Sequence, residues 1–170
     1  MTTPPEQDLE ELHPASFGWA LLCCGWDRQE AEEVLQETYL KVLCASAVFD
    51  GRSSLKTWLF GVIRRTAAER RRRRWVRVIA LKRWLGGQPD PPSPEDPEST
   101  ARACEAREAL HRALRALPAR QRELLHLVFY QDLTVEEASR VLGISAGTAR
   151  THYHRGKERL RERLAAEVGS

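Results

Sequence analysis

The chain has 170 residues, with 27 Lys and Arg against 24 Asp and Glu for a formal charge of +3, and is 42% hydrophobic and 30% charged. That length holds one domain or two small ones, and the composition is that of a folded soluble protein, not a disordered one. No apolar run approaches the roughly 20 residues that span a bilayer, the N-terminus is acidic where a secretory leader would be basic and then apolar, and Cys23, Cys24, Cys44 and Cys104 form no CxxC pair; a reduced, cytoplasmic protein without direct membrane insertion is expected.

Apolar residues recur at helical spacing almost throughout, and strand-like alternation is missing, so the expected fold class is all-α. Pro14 suits the first turn of a short helix with Phe17, Ala20, Leu21 and Cys24 inward, ended by Gly25. Residues 28–45 form the clearest helix. Ala31, Val34, Leu35, Thr38 and Val42 lie on one face, and Glu30, Glu33, Glu37 and Lys41 on another, with Gln36 nearby. Phe49 to Ser54 reads as a loop whose serine caps the next helix. That helix buries Leu55, Trp58, Leu59, Val62 and Thr66, runs into Arg70–Arg74 and continues amphipathically to Leu85.

Residues 86–104 hold five prolines and no large apolar side chain, so they read as an extended linker. Two small helical domains, 1–85 and 105–170, are expected on either side. In the second, Glu105 to Leu117 is helical, Pro118 separates it from a helix carrying Leu124, Leu125 and Val128, and Thr134 with Glu137 makes a capping box. Gly143 supplies the left-handed turn residue, and Ser145 caps a last helix from about Ala146 to Ala165.

Charge is distributed unevenly along the chain. Residues 1–50 carry 2 basic and 10 acidic side chains, whereas residues 51–85 carry 12 basic and 1 acidic. A strip this basic suits a polyanion. Aromatics beside it can stack on unpaired bases while arginines hold the backbone. Trp58 falls on the inward stripe, and Phe60 lies off it, so Phe60 is expected to be exposed. The 134–160 segment has the form of a helix-turn-helix, with Ala138 small at the helix crossing and Ile144 as an apolar plug. Its second helix offers Arg150, Thr151, His154, Arg155, Lys157 and Arg159 to a DNA groove. There is no P-loop, GxGxxG or HExxH, and His152 and His154 diverge on their helix, so no enzyme activity, cofactor or metal is expected. Cys23, Cys24 and Cys44 are expected to pack together as small buried side chains.

The segments Glu30–Val42, Ser54–Arg65, Ala109–Glu123, Leu133–Ala138 and Leu142–Arg150 resemble, in order and spacing, the second and fourth domains of bacterial sigma factors. Their two-domain length is similar to that of the extracytoplasmic-function (ECF) sigma factors. The resemblance implies that Glu33, Gln36, Glu37 and Lys41 dock on the clamp helices of core RNA polymerase. It implies that Phe49, Arg52, Ser53, Phe60, Arg64, Arg65, Arg71 and Arg72 capture and melt the −10 element. Ser145, Thr148, Arg150, Thr151, His154, Arg155 and Lys157 would read the −35 element as duplex, with the second domain near the polymerase flap. A nucleoid-associated active form and control by an anti-sigma factor are also implied. Gly156 stands where the family usually has alanine, at a helix cost of about 1 kcal/mol. A plain helix-turn-helix regulator acting on operator DNA is the alternative. It predicts a dimerisation helix or ligand domain, for which no segment remains.

Overall fold

The computed structural model describes residues 4–85 and 110–168, which fall in two compact units, Met1–Asp96 and Pro97–Ser170. The expected linker 86–104, and the helix expected from Glu105 as far as residue 109, lie outside the described residues. All regular elements described are α-helices, in line with the all-α expectation.

The first unit holds α1 (Glu6–Glu11), α2 (His13–Cys23), α3 (Arg28–Leu43) and α4 (Leu55–Leu85). The short α1, opened by Pro5, is an element that the spacing of apolar residues did not predict. Pro14 does sit in the first turn of α2. The buried face of α2, however, is Ser16, Trp19, Ala20 and Leu22. Phe17, Leu21 and Cys24 are only half-buried, so the expected inward face is rotated. Trp19 decides the rotation: its bulk fills the centre of the unit and its indole N–H donates to the Phe60 carbonyl at 3.0 Å. A buried Trp N–H needs such a partner.

Asp27 caps α3 by accepting from the Glu30 amide at 3.0 Å, and Ala31, Val34, Leu35, Thr38 and Val42 are buried as expected. Ser54 Oγ accepts from the Thr57 amide at 3.2 Å and opens α4. This helix runs 31 residues, roughly 46 Å at 1.5 Å per residue. Leu59, Phe60, Val62, Ile63 and Thr66 face the core, whereas Leu55 and Trp58 are only half-buried. Phe60 is therefore a correction. It is 0% exposed and stacks on Trp19 with ring centres 6.1 Å apart. The core-facing arc of α4 is wide enough to take in the position beside Leu59.

The second unit contains α5, described over residues 110–115, then α6 (Ala119–Phe129), α7 (Val135–Leu142) and α8 (Ala146–Val168). Leu114, Leu117 and Leu125 form a buried cluster against Leu110, Tyr153 and Leu160. Thr134 and Glu137 make the capping box, and Gly143 turns the chain with φ +64°. Gly156 has a structural reason. A Cβ there would lie 3.3 Å from Gln121 Cβ and Leu125 Cγ, so the missing methyl lets α8 approach α6 closely.

Candidate functional site

The arginine run on α4 is divided by its neighbour. Arg70 Nε donates to Glu30 Oε1 at 3.0 Å, Arg70 Nη1 donates to Glu37 Oε2 at 3.3 Å, and Nη2 donates to Glu33. Arg73 reaches Glu37 at 3.3 Å and Glu69 at 3.8 Å, and Arg74 lies 3.8 Å from Glu30. Lys41 closes the network, 2.8 Å from Glu69 and 3.1 Å from Glu37. Burial opposes ionisation of Glu37, but the hydrogen bond and charge of Lys41, with Arg70 and Arg73, outweigh it and hold its carboxyl below the ordinary range. The hydrogen bond from Arg70 to Glu30 leads the interactions that raise the guanidinium above its usual value. Glu30, Glu33 and Glu37 of the acidic first segment are thus neutralised by the basic segment within the same unit.

Two consequences follow for the expected sites. Of the residues assigned to polymerase docking, Glu33, Glu37 and Lys41 turn toward α4, and Gln36 faces solvent. Sequence reasoning missed Leu40 and Leu43, which are 56% and 52% exposed and one and two turns beyond Gln36 on the outer face of α3. Large apolar side chains outside the inward stripe were the available signal. Among the arginines, Arg65, Arg71 and Arg72 are exposed and Arg64 is half-buried.

The loop before α4 is preorganised. Asp50 Oδ1 accepts from the Arg52 amide at 3.1 Å, Gly51 has φ +72°, and Ser53 Oγ donates to the Ser54 carbonyl at 3.2 Å. Phe49 packs on Trp58 with ring centres 5.4 Å apart, and both stay partly exposed. The aromatic available for base stacking beside this loop is therefore Trp58 with Phe49, in place of Phe60.

In the helix-turn-helix, Ala138 of α7 and Ala149 of α8 are both fully buried where the helices cross. Ser145 Oγ caps α8 by accepting from the Thr148 amide at 3.1 Å and pairs with the Thr148 hydroxyl at 2.8 Å. Arg150, Thr151, His154 and Arg155 are exposed. Thr151 Oγ1 donates to the Gly147 carbonyl at 3.1 Å. Lys157 is turned aside, with Nζ 4.5 Å from the Tyr153 ring centre, and Arg159 donates to Gln121 at 3.3 Å. The exposed arc can present polar and cationic groups to a major groove.

The cysteines are not buried as expected. Cys44 is exposed at the end of α3, while Cys23 and Cys24 are half-buried. Burial, with Glu30 and Asp27 nearby, pushes the Cys24 thiol up to about 12.

Residues 10–77 match the family Sigma-70 region 2, and residues 107–160 match Sigma-70, region 4. The ECF RNA polymerase sigma factor SigX of Bacillus subtilis is 30% identical over 141 residues, covering 81% of this chain and 72% of SigX. The chain belongs to the ECF sigma factors. A second ECF sigma factor, SigF of Caulobacter vibrioides, is 32% identical over 82% of this chain and 74% of its own. The solved structure of the sigma factor RpoE of Bartonella quintana, in complex with the anti-sigma factor NepR, matches with TM-score 0.71 and 25% identity, covering 94% of this sigma factor and 96% of RpoE. CnrH, solved with the cytosolic domain of CnrY, shares the fold at TM-score 0.63 and 20% identity over 94% and 87% of the two chains. As a sigma factor the chain directs promoter recognition by RNA polymerase, and a free-standing operator-binding regulator is not favoured. No helix among the described residues is long and apolar enough to cross a membrane.

Proposed function

We propose a division of labour in which residues 1–85 dock on core polymerase and open the −10 element, 86–104 connect, and 105–170 read the −35 element. The docking face is Gln36 with Leu40 and Leu43, set against the polymerase clamp helices, with the second unit near the flap. Exposed leucines on a helix otherwise tied inward by ion pairs support that choice. The −10 strand is taken by Phe49, Trp58, Arg52 and Ser53, and its backbone by Arg64, Arg65, Arg71 and Arg72. Opening DNA costs about 1.4 kcal/mol per base-pair step, and stacking at roughly 1–3 kcal/mol per base is of the size that offsets it.

The observation that carries this reading is the partition of the arginine run. Arg70, Arg73 and Arg74 are engaged by α3, and Arg71 and Arg72 face solvent on the helix that begins at the Phe49–Trp58 loop. Duplex −35 DNA is contacted by Arg150, Thr151, His154 and Arg155 from the exposed arc of α8, with Ser145 and Thr148 at its N-terminus and Lys157 at the flank. The structural relative RpoE is bound to the anti-sigma factor NepR, which supports a protein partner of the anti-sigma kind for this chain also.

Transcription with purified core polymerase tests the reading. Wild-type protein should give promoter-specific transcripts from genomic templates, and their complete absence would refute it. Leu40→Asp with Leu43→Asp should abolish core binding and leave the helical content unchanged. Unchanged affinity for core would remove the docking face.

A further inference from the structure

We propose that Glu136 is a specificity-determining positioning residue, which holds the Arg150 guanidinium by one edge so that its other edge can read a single base pair. The proposal rests on the reading that the second unit binds −35 duplex. Glu136 stands two residues into α7, and Arg150 lies in the second turn of α8. The close crossing at Ala138 and Ala149 brings them together, and Arg150 Nη2 donates to Glu136 Oε1 at 2.6 Å. The neighbouring Glu137 is occupied by the capping box, accepting from the Thr134 amide at 2.8 Å and the Thr134 hydroxyl at 2.9 Å. Glu137, and not Glu136, is therefore the capping-box partner of Thr134.

The pair is open to solvent: the Arg150 side chain is 62% exposed and that of Glu136 49%. An exposed pair adds little to stability, so its value to the fold is small. Its value to recognition is geometric. A guanidinium has five donors in a rigid fork. With one Nη engaged by a carboxylate, the opposite edge is oriented, and bidentate pairing with guanine N7 and O6 needs that orientation. A flexible arginine, by contrast, can bend to any nearby phosphate and gains affinity without discrimination. A fixed carboxylate at the DNA surface also repels phosphates, which lowers attraction to random sequence.

Holoenzyme assembled from the full chain and core polymerase is used to select from promoters with a randomised −35 hexamer, and enrichment at each position is compared between variants. Glu136→Ala should flatten the preference about tenfold at the one position that Arg150→Ala also flattens, leaving the other positions sharp. It should also steepen the salt dependence of binding to random duplex by about one unit of log–log slope, as Arg150 becomes free to hold a phosphate. Combining Glu136→Ala with Arg150→Ala should add nothing further at that position. Equal weakening at every position, or an unchanged preference, would overturn the role of Glu136. If the wild-type holoenzyme enriches no −35 sequence, the underlying reading of the second unit fails instead. Should Glu136→Ala disturb folding, Glu136→Gln decides the matter: it keeps an acceptor for Arg150 and should retain most of the preference, and loss as complete as with alanine would count against positioning.

Discussion

His126 should make the second unit of this sigma factor sensitive to acid, by an amount that follows from its surroundings. The ring is 8% exposed on α6, and the Gln131 amide Nε2 stands 3.2 Å from His126 Nε2. An amide nitrogen only donates, so this ring nitrogen accepts and the imidazole is neutral. Burial pushes its pKa from 6.5 down to about 4. The unfolded chain binds its proton near pH 6.5 and the folded one near 4, so the unfolded state holds more protons between those values and stability rises with pH there. Above pH 6.5 the ring is neutral in both states and takes nothing from the stability of the unit. Each pH unit below that is worth about 1.4 kcal/mol, so the unit should have lost about 2 kcal/mol at about pH 5 and about 3 kcal/mol at about pH 4. A unit of this size has only about 4–10 kcal/mol in total, so the loss is large. Trp19, Trp26, Trp58, Trp75 and Trp84 all belong to the first unit, so tryptophan fluorescence does not follow the second. Denaturant titration at about pH 7 and about pH 5, read by hydrogen exchange in peptides from α6 and α8, does follow it. His126→Gln, which does not titrate, should remove most of the difference between the two pH values. An equal difference in that variant, or a His126 imidazole resonance titrating near pH 6.5, would refute the reasoning.

The partition of the arginine run predicts opposite behaviour of adjacent residues. Arg70→Ala leaves Glu30, Glu33 and Glu37 facing one another half-buried and should cost about 2 kcal/mol, between the values for surface and buried pairs; denaturant unfolding followed by tryptophan fluorescence measures it. Arg71→Ala with Arg72→Ala should leave that stability within about 0.5 kcal/mol but lower the log–log salt slope of holoenzyme binding to promoter DNA by about 2. At the α6–α8 crossing, Gly156→Val forces branched bulk against Gln121 and Leu125 and should destabilise the second unit by about 1–3 kcal/mol, seen as earlier exchange in α8 peptides.

Individual helices were largely legible from sequence because their signals are local. Ser54, Thr134 with Glu137, Gly143 and Ser145 each act within one turn of the residue they satisfy, and they stand at the helix ends where their chemistry placed them. The orientation of α2 was less legible. Trp19 competes with Phe17 and Leu21 for the interior, and only the Phe60 carbonyl on another helix shows which one is taken in. Phe60 failed for the same reason: helical spacing ranks positions by angle, but the width of the buried arc depends on how many helices pack against α4.

Spacing and residue type over a few positions were enough to establish most of the helices, several of their caps and the turn of the helix-turn-helix, and the resemblance of short segments pointed to the family. Which charges remain available depended on how the helices pack. Five consecutive arginines point to every side of a helix, so their number cannot say which of them are taken. The register of α3 against α4 sets Glu30, Glu33 and Glu37 on Arg70, Arg73 and Arg74, leaves Arg71 and Arg72 in solvent, and turns Gln36, Leu40 and Leu43 outward. The physical reason is that a charge acts through its nearest partners, and on α3 and α4 those partners lie several tens of residues apart along the chain.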